Sequence, residues 1–401
     1  MTMTLRLCGF HGASRPRAAC GSLRVGLVWL LAAIGTAPAL AQTDIETVLY
    51  NFDMTTGGEP YGSLLRDPAG NLYGTALEGG THGQGVVYEL DTAGNYTVLH
   101  TFTGGADGGE PQAGVIRDAA ANLYGTTSSG GTAGGGTVFK LDTSGNETVL
   151  YNFTGGADGG SPSAGVIRDA AGNLYGTTFF GGGSHSNAGV VFKVDPSGLE
   201  TVLHTFTGGA DGGRPAAGVV RDPAGNLYGT AEWGGAGGHG VVYKLDTAGR
   251  EKVLHNFTGG ADGGDPIAGV IRDPDGNLYG TTNKGGTNGG RGVVYKVDAA
   301  GQQTVLLSFG GGSSGYYPIA GVIRDQAGNL FGTTLWGGPQ WGGYGVVFKL
   351  DMSGQETVLY SFAADGANPN GGVIAGTDGD LYGTAGGGTY GFGVVFELKP
   401  Q

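Results

Sequence analysis

Apolar and polar residues alternate in short runs along most of the chain, as in Thr137-Val-Phe-Lys-Leu-Asp142 and Glu147-Thr-Val-Leu-Tyr-Asn-Phe153. The runs are rich in β-branched and aromatic residues and are bounded by Asp/Gly/Asn turns or glycine-rich loops, which is the pattern of short antiparallel strands. No helical period runs through residues 42–401. Four runs recur in a fixed order: A (AGVIRD at Ala164–Asp169), B (NLYGTT at Asn122–Thr127), C (TVFKLD) and D (ETVLYNF). The A-to-B and C-to-D links are tight turns of the Asp-x-x-Gly-Asn type, in which the aspartate bonds its own backbone and glycine takes positive φ. The B-to-C and D-to-A links are long and glycine-rich. A proline (Pro60, Pro111, Pro162, Pro215, Pro266, Pro318, Pro369) precedes every A run, where a missing amide donor costs little.

The phrase Asn-Leu-Tyr-Gly-Thr indexes the repeat. It begins at Asn71, Asn122, Asn173, Asn226 and Asn277, returns as NLFGT at Asn329 and as DLYGT at Asp380, with steps of 51 to 53 residues. A period of this size marks a repeat architecture. A lone D run at Glu46–Phe52 precedes the first unit, and the last unit ends after its C run at Gly393–Lys399, so one unit is split between the two ends. The pattern predicts an all-β fold, a seven-bladed β-propeller of four-stranded blades closed by the N-terminal strand completing the last blade. The tyrosine of the phrase and the phenylalanine of run D are expected to pack between blades, each burying on the order of 150 to 250 Å². The Arg-Asp pair ending run A reads as a turn cap with a local ion pair.

Composition changes the picture at the N-terminus. Arg6, Arg15, Arg17 and Arg24 precede the apolar run Val25–Ile34, and Ala39-Leu40-Ala41 follows as a small-x-small site. Residues 1–41 read as a signal peptide cleaved near Ala41, leaving 42–401 as a single propeller domain, secreted or periplasmic. Cys8 and Cys20 fall in the removed segment, so no disulfide is expected. The remaining chain has 17 basic against 34 acidic side chains, a net charge of -17. That balance argues against nucleic acid or anionic lipid as partner. No apolar stretch reaches the length of a membrane span, so no membrane insertion is expected, and the chain reads as a monomer.

The repeats NLYGTT and GVVFKLD resemble those of the GloVer-type (Gloeo/Verruco) tandem repeat proteins over about residues 45–399. The resemblance implies secreted bacterial proteins without an assigned activity. The strand order is also similar to that of NHL-type and lyase-type propellers, which is a likeness of architecture alone.

Strands running up and down in turn place the B-to-C and D-to-A loops on one face, and that face carries nearly all departures from the repeat. Its candidate binding residues are Glu78, His82, Phe179, Phe180, Trp233, Trp336, Trp341, Tyr344 and Tyr390, with Lys284, Arg291 and Phe392 beside them. Exposed aromatics next to carboxylates suit stacking against sugar rings; packing under their own loops is the alternative. The candidate catalytic group is His185, Arg214, Glu232 and His239, which would serve a polysaccharide lyase or hydrolase with Arg214 on a uronate carboxylate. Asp107, Asp158, Asp211 and Asp262 in the GGADGG loops supply one carboxylate each, too few for calcium without backbone ligands, and read as turn residues. His100, His204 and His255 share their position with Leu307 and read as packing. The expectation is a recognition or scaffold module for an extracellular glycan or protein surface, with no cofactor and no metal.

Overall fold

In a computed structural model the described residues are 45–183, 187–339, 343–363, 366–377 and 379–399. The chain divides into two units, Met1–Ala41 and Gln42–Gln401, and all of these residues belong to the second. They form seven four-stranded antiparallel sheets, each in the order A-B-C-D. Blade one consists of Leu65–Arg66, Leu72–Ala76, Val86–Leu90 and Tyr96–Thr101. Blade seven takes A, B and C from Ile374–Ala375, Leu381–Ala385 and Val394–Lys399, and its fourth strand is Ile45–Asn51. The closing register runs from Ile45 opposite Lys399 to Asn51 opposite Val394. The seven-bladed propeller with its split blade is therefore the observed fold.

Each letter of the repeated phrase has a physical task, seen in blade four. Asn226 donates its side-chain amide to Asp222 Oδ2 at 2.7 Å and its backbone N–H to Oδ1 at 2.9 Å, fixing the A-to-B turn. Leu227 is buried core. Tyr228 donates its hydroxyl to the same Asp222 at 3.0 Å. Gly229 is obligatory because a Cβ there would lie 2.5 Å from the Tyr243 hydroxyl on strand C. Thr230 donates to the carbonyl of Ala268 in the next blade at 2.9 Å. That last bond is repeated at all seven boundaries, including Thr384 to Gly62 across the closure, at 2.9 to 3.4 Å.

Apolar packing between blades is equally periodic. The phenylalanine ending each D strand meets the strand C aromatic of the following blade edge to face: Phe52 with Tyr88, Phe102 with Phe139, and so on to Phe362 with Phe396. Centroids are 5.0 to 5.3 Å apart. Such pairs contribute about 0.5–1.5 kcal/mol each beyond their buried area. Every D strand also carries a β-bulge that leaves one leucine out of register: Leu49, Leu99, Leu150, Leu203, Leu254, Leu306 or Leu359. These leucines turn into the inter-blade clusters.

Two expectations are corrected. Strand A is a two-residue ladder, Ile167–Arg168 in blade three, in place of the full AGVIRD run. The Ala-Gly half of that run turns to the axis, where glycines of neighbouring blades touch; a Cβ on Gly114 would lie 2.0 Å from Ser63 O. The arginine of strand A is chiefly a stacking group across the blade boundary. Arg66, Arg117, Arg168, Arg221, Arg272 and Arg324 lie 5.5 to 5.8 Å over Tyr382, Tyr73, Tyr124, Tyr175, Tyr228 and Tyr279. The boundary between blades six and seven departs on both sides at once. Ala375 replaces the arginine and Phe331 the tyrosine, and Lys349 covers the Phe331 ring.

Candidate functional site

The residue before each repeated proline is held in the left-handed region. Glu59, Glu110, Ser161, Arg214, Asp265, Tyr317 and Asn368 have φ between 53° and 56°. A side chain in this conformation costs roughly 1–2 kcal/mol, so the surroundings must over-determine it. They do so through the main chain. The N–H of Arg214 donates to Ala188 O in blade three at 2.7 Å, and its carbonyl accepts from Glu232 N in blade four at 3.2 Å. Equivalent pairs link all seven blades, with Glu59 N donating to Phe392 O across the closure. Because the backbone makes these bonds, side-chain identity is free, and the seven positions carry six residue types, Glu, Ser, Arg, Asp, Tyr and Asn, with only Glu repeated.

Ser161 of this set lines an axial cavity of about 970 Å³, together with Tyr61, Gln112, Phe179, Phe180 and Glu232 above the Ala-Gly waist, and each of the other six stands two residues before a lining position. The ring falls into three sectors. Blades one and two present Glu59, Glu78 and Glu110; Tyr61 donates to Glu59 at 2.9 Å, and burial together with that carboxylate pushes its hydroxyl up to about 12. His82 is exposed beside the Thr81 hydroxyl, 3.0 Å away. Blades five to seven present Tyr317, Trp336, Tyr344, Tyr390 and Phe392, all exposed, with Tyr390 60% accessible. Arg291 there donates to Gly310 O at 2.6 Å and stacks on Tyr316.

The middle sector, blades three to five, brings opposite charges and rings together. The Arg214 guanidinium lies between Phe179, at 5.7 Å, and Trp233, at 5.5 Å. Phe179 and Phe180 meet edge to face at 4.7 Å. Phe180 and Trp233 remain 40% and 47% exposed. Glu232 is half-buried; desolvation and the nearby Asp265 raise its carboxyl, against the opposing charges of Arg214 and Lys284. Asp265 holds Lys284 at 2.6 Å and faces His239 Nδ1 at 3.6 Å. Of the proposed catalytic group, Arg214 and Glu232 thus share the mouth, while His239 sits against Asp265. His185 and Trp341 lie outside the described residues.

The GGADGG aspartates are turn residues. Asp107 accepts from Thr103 N at 2.9 Å and from the Thr103 hydroxyl, and Asp158, Asp211 and Asp262 do likewise from Thr154, Thr207 and Thr258. His100, His204 and His255 pack edge-on against Phe102, Phe206 and Phe257 at 4.8 Å. Among the described residues no group of three or more His, Cys, Asp or Glu is placed to hold a metal ion. Sequence reasoning missed Glu59, Tyr61, Asp265 and Tyr317. Their signal was present: each stands immediately before or after a repeated proline, at a place where the copies disagree.

A closed ring of seven four-stranded blades, regular at its seams and variable around one mouth, defines a β-propeller with a single differentiated face. The chain belongs to the Gloeobacter/Verrucomicrobia repeat family, whose pattern matches twice in tandem, over residues 35–223 and 215–401. No curated protein matches the sequence. Similar solved structures include puromycin hydrolase, at 16% identity and TM-score 0.51 over 83% of this chain; the match spans 51% of that protein's length. A luciferin-regenerating enzyme matches at 14% identity and TM-score 0.45, over 89% of this chain and 95% of that one. A protein from Lactobacillus plantarum matches at 19% identity and TM-score 0.46, over 82% and 98%. At these identities the likeness is one of fold.

Proposed function

We propose that the chain is an exported recognition module that binds a glycan on its loop face. The observation that supports this most is the exposure of Phe180, which lines the axial cavity, and of Trp233, Trp336, Tyr344 and Tyr390 on the loops of the same face, which are anchored by the blade-to-blade main-chain bonds. Flat rings fixed on a rigid frame stack on sugar faces without a large ordering cost. Export rests on the charged, apolar and small-residue succession of residues 1–41, and the acidic balance of the rest disfavours nucleic acid.

The test is a glycan array probed with the chain from residue 42 onward, followed by titration calorimetry on the best ligand. Trp233→Ala and Trp336→Ala are each expected to weaken binding by about 1–3 kcal/mol, by the scale of aromatic stacking. Full retention of affinity in both variants, with folding intact, would remove the aromatic face from the reading.

A second reading, a polysaccharide lyase or glycoside hydrolase, draws on one feature: the raised, half-buried carboxyl of Glu232 beside the Arg214 charge. An acid of this kind suits proton donation to a leaving oxygen. It predicts unsaturated or reducing-end products from a polysaccharide panel and their loss in Glu232→Gln; absence of both products across the panel excludes it.

A further inference from the structure

The three cations of the loop face differ in what they already hold. Lys284 is committed to Asp265 at 2.6 Å, and Arg291 to the Gly310 carbonyl at 2.6 Å. The Arg214 guanidinium is held by rings alone: among the described residues it forms no hydrogen bond and no ion pair within 4 Å, and its planes are flanked by Phe179 and Trp233. Stacking fixes the direction of a guanidinium while leaving its edge donors unused, and five N–H groups in a planar fork match a carboxylate in two-point contact.

The surroundings select among anions. Exposed Trp233 lies against the guanidinium, and exposed Phe180 meets Phe179, the other flanking ring; both offer apolar faces to a ring. Ser161 and Ser163 line the same cavity and supply hydroxyls. The acidic blades, with Glu59, Glu78 and Glu110 across the mouth, repel any extended run of negative charge. A ligand bearing one carboxylate on a sugar ring, with the remainder of its contacts made by hydroxyls and apolar ring faces, satisfies all three conditions.

We propose that the mouth between blades three and four is a subsite for an acidic sugar, with the uronate carboxylate on Arg214 and the sugar ring against Trp233 and Phe180. This rests on the glycan-binding reading and narrows it to one class of residue. Glu232 lines the same cavity and offers its carboxyl group as a hydrogen-bond partner to a sugar hydroxyl.

The experiment compares hexameric galacturonate and mannuronate oligosaccharides with their fully methyl-esterified forms and with neutral galactan, by calorimetry on the chain from residue 42 onward. The expected result is binding of at least one free acid that is about tenfold or more tighter than that of its ester, weakening with salt. Arg214→Gln keeps amide donors without the charge and should bring acid and ester to equal affinity. Unchanged circular dichroism and melting temperature would establish that this variant is folded, and Arg214→Lys should restore part of the difference. Ester or neutral galactan binding as tightly as the acid, in wild type and Arg214→Gln alike, would overturn the acidic-sugar inference while leaving glycan recognition standing. No binding of acidic, esterified or neutral glycans, here and on the array, would overturn both.

Discussion

At the scale of single residues, the copies that break the repeat are the most informative. The A-to-B turn places a glycine at positive φ in blades one, three, four, five, six and seven, from Gly70 at 98° to Gly379 at 92°, whereas blade two puts Ala121 there at 66°. Left-handed alanine costs roughly 1–2 kcal/mol, and the greater freedom of an unfolded glycine gives back about half of that. Ala121→Gly should therefore stabilise the protein by about 0.5–1 kcal/mol, read as a higher denaturant midpoint at unchanged slope; an unmoved midpoint would show that the turn tolerates alanine without strain. The glycine and threonine of the phrase were legible as a repeat but not as tasks, because the partners of Gly229 and Thr230 lie on Tyr243 and Ala268, one strand and one blade away. The arginines misled for the same reason. Next to an aspartate in sequence, they stack on a tyrosine of the preceding blade, some forty to fifty positions earlier for all but Arg66, whose partner Tyr382 lies across the closure.

At the scale of the strand, the beginning of D meets the loop that follows D in the preceding blade. Glu147, Glu200 and Glu251 lie there, and desolvation, with Asp107, Asp158 and Asp211 respectively, pushes each carboxyl up to about 7. Blade five places Gln303 at this position and donates its amide to Asp262 O at 3.1 Å, the bond a protonated glutamate would make. A carboxyl raised on folding binds its proton more tightly in the native state. Its contribution is complete below the unfolded value near 4.5 and is lost as pH rises through about 7. Glu200 is the clean case, because Tyr151 occupies the position that His100 and His204 hold at other seams. Glu200→Gln should melt with wild type at pH 4.5 and above it at pH 8. With the group half exposed, screening leaves on the order of 1 kcal/mol, or about 2 °C. A melting difference independent of pH would show that Glu200 is ionised throughout. This seam was invisible in the sequence: the bulge at Leu150 and the twist that brings successive D strands together leave no periodic trace.

At the scale of the whole molecule, the number of blades and their closure were legible because an index phrase and a split unit suffice to count and join them. The three sectors of the mouth were only partly legible. Trp233, Trp336 and Tyr390 stood out as aromatics in glycine loops, but the left-handed residues before proline, Glu59 to Asn368, have no common chemistry to betray a ring. Closure also makes a strong prediction. Removing residues 42–52 takes away the fourth strand of blade seven, exposes the Val394–Lys399 edge, and leaves Tyr88 without Phe52. The truncated chain should aggregate or lose cooperative melting, and a peptide spanning 45–52 should restore it; a truncated monomer melting like the full chain would mean that six blades suffice.

The same clasp sets an order of events during synthesis. The strand at Ile45–Asn51 is among the first residues of the described chain to be made, and its partner at Val394–Lys399 is among the last. At about 5–20 residues per second it waits on the order of tens of seconds with an open edge, while six blades can already form from neighbouring strands. The wait exposes it to the wrong partner more than it weakens the right one, because the entropy of closing a loop grows only with the logarithm of its length. Whatever guards that first strand until the last arrives decides the yield of folded rings.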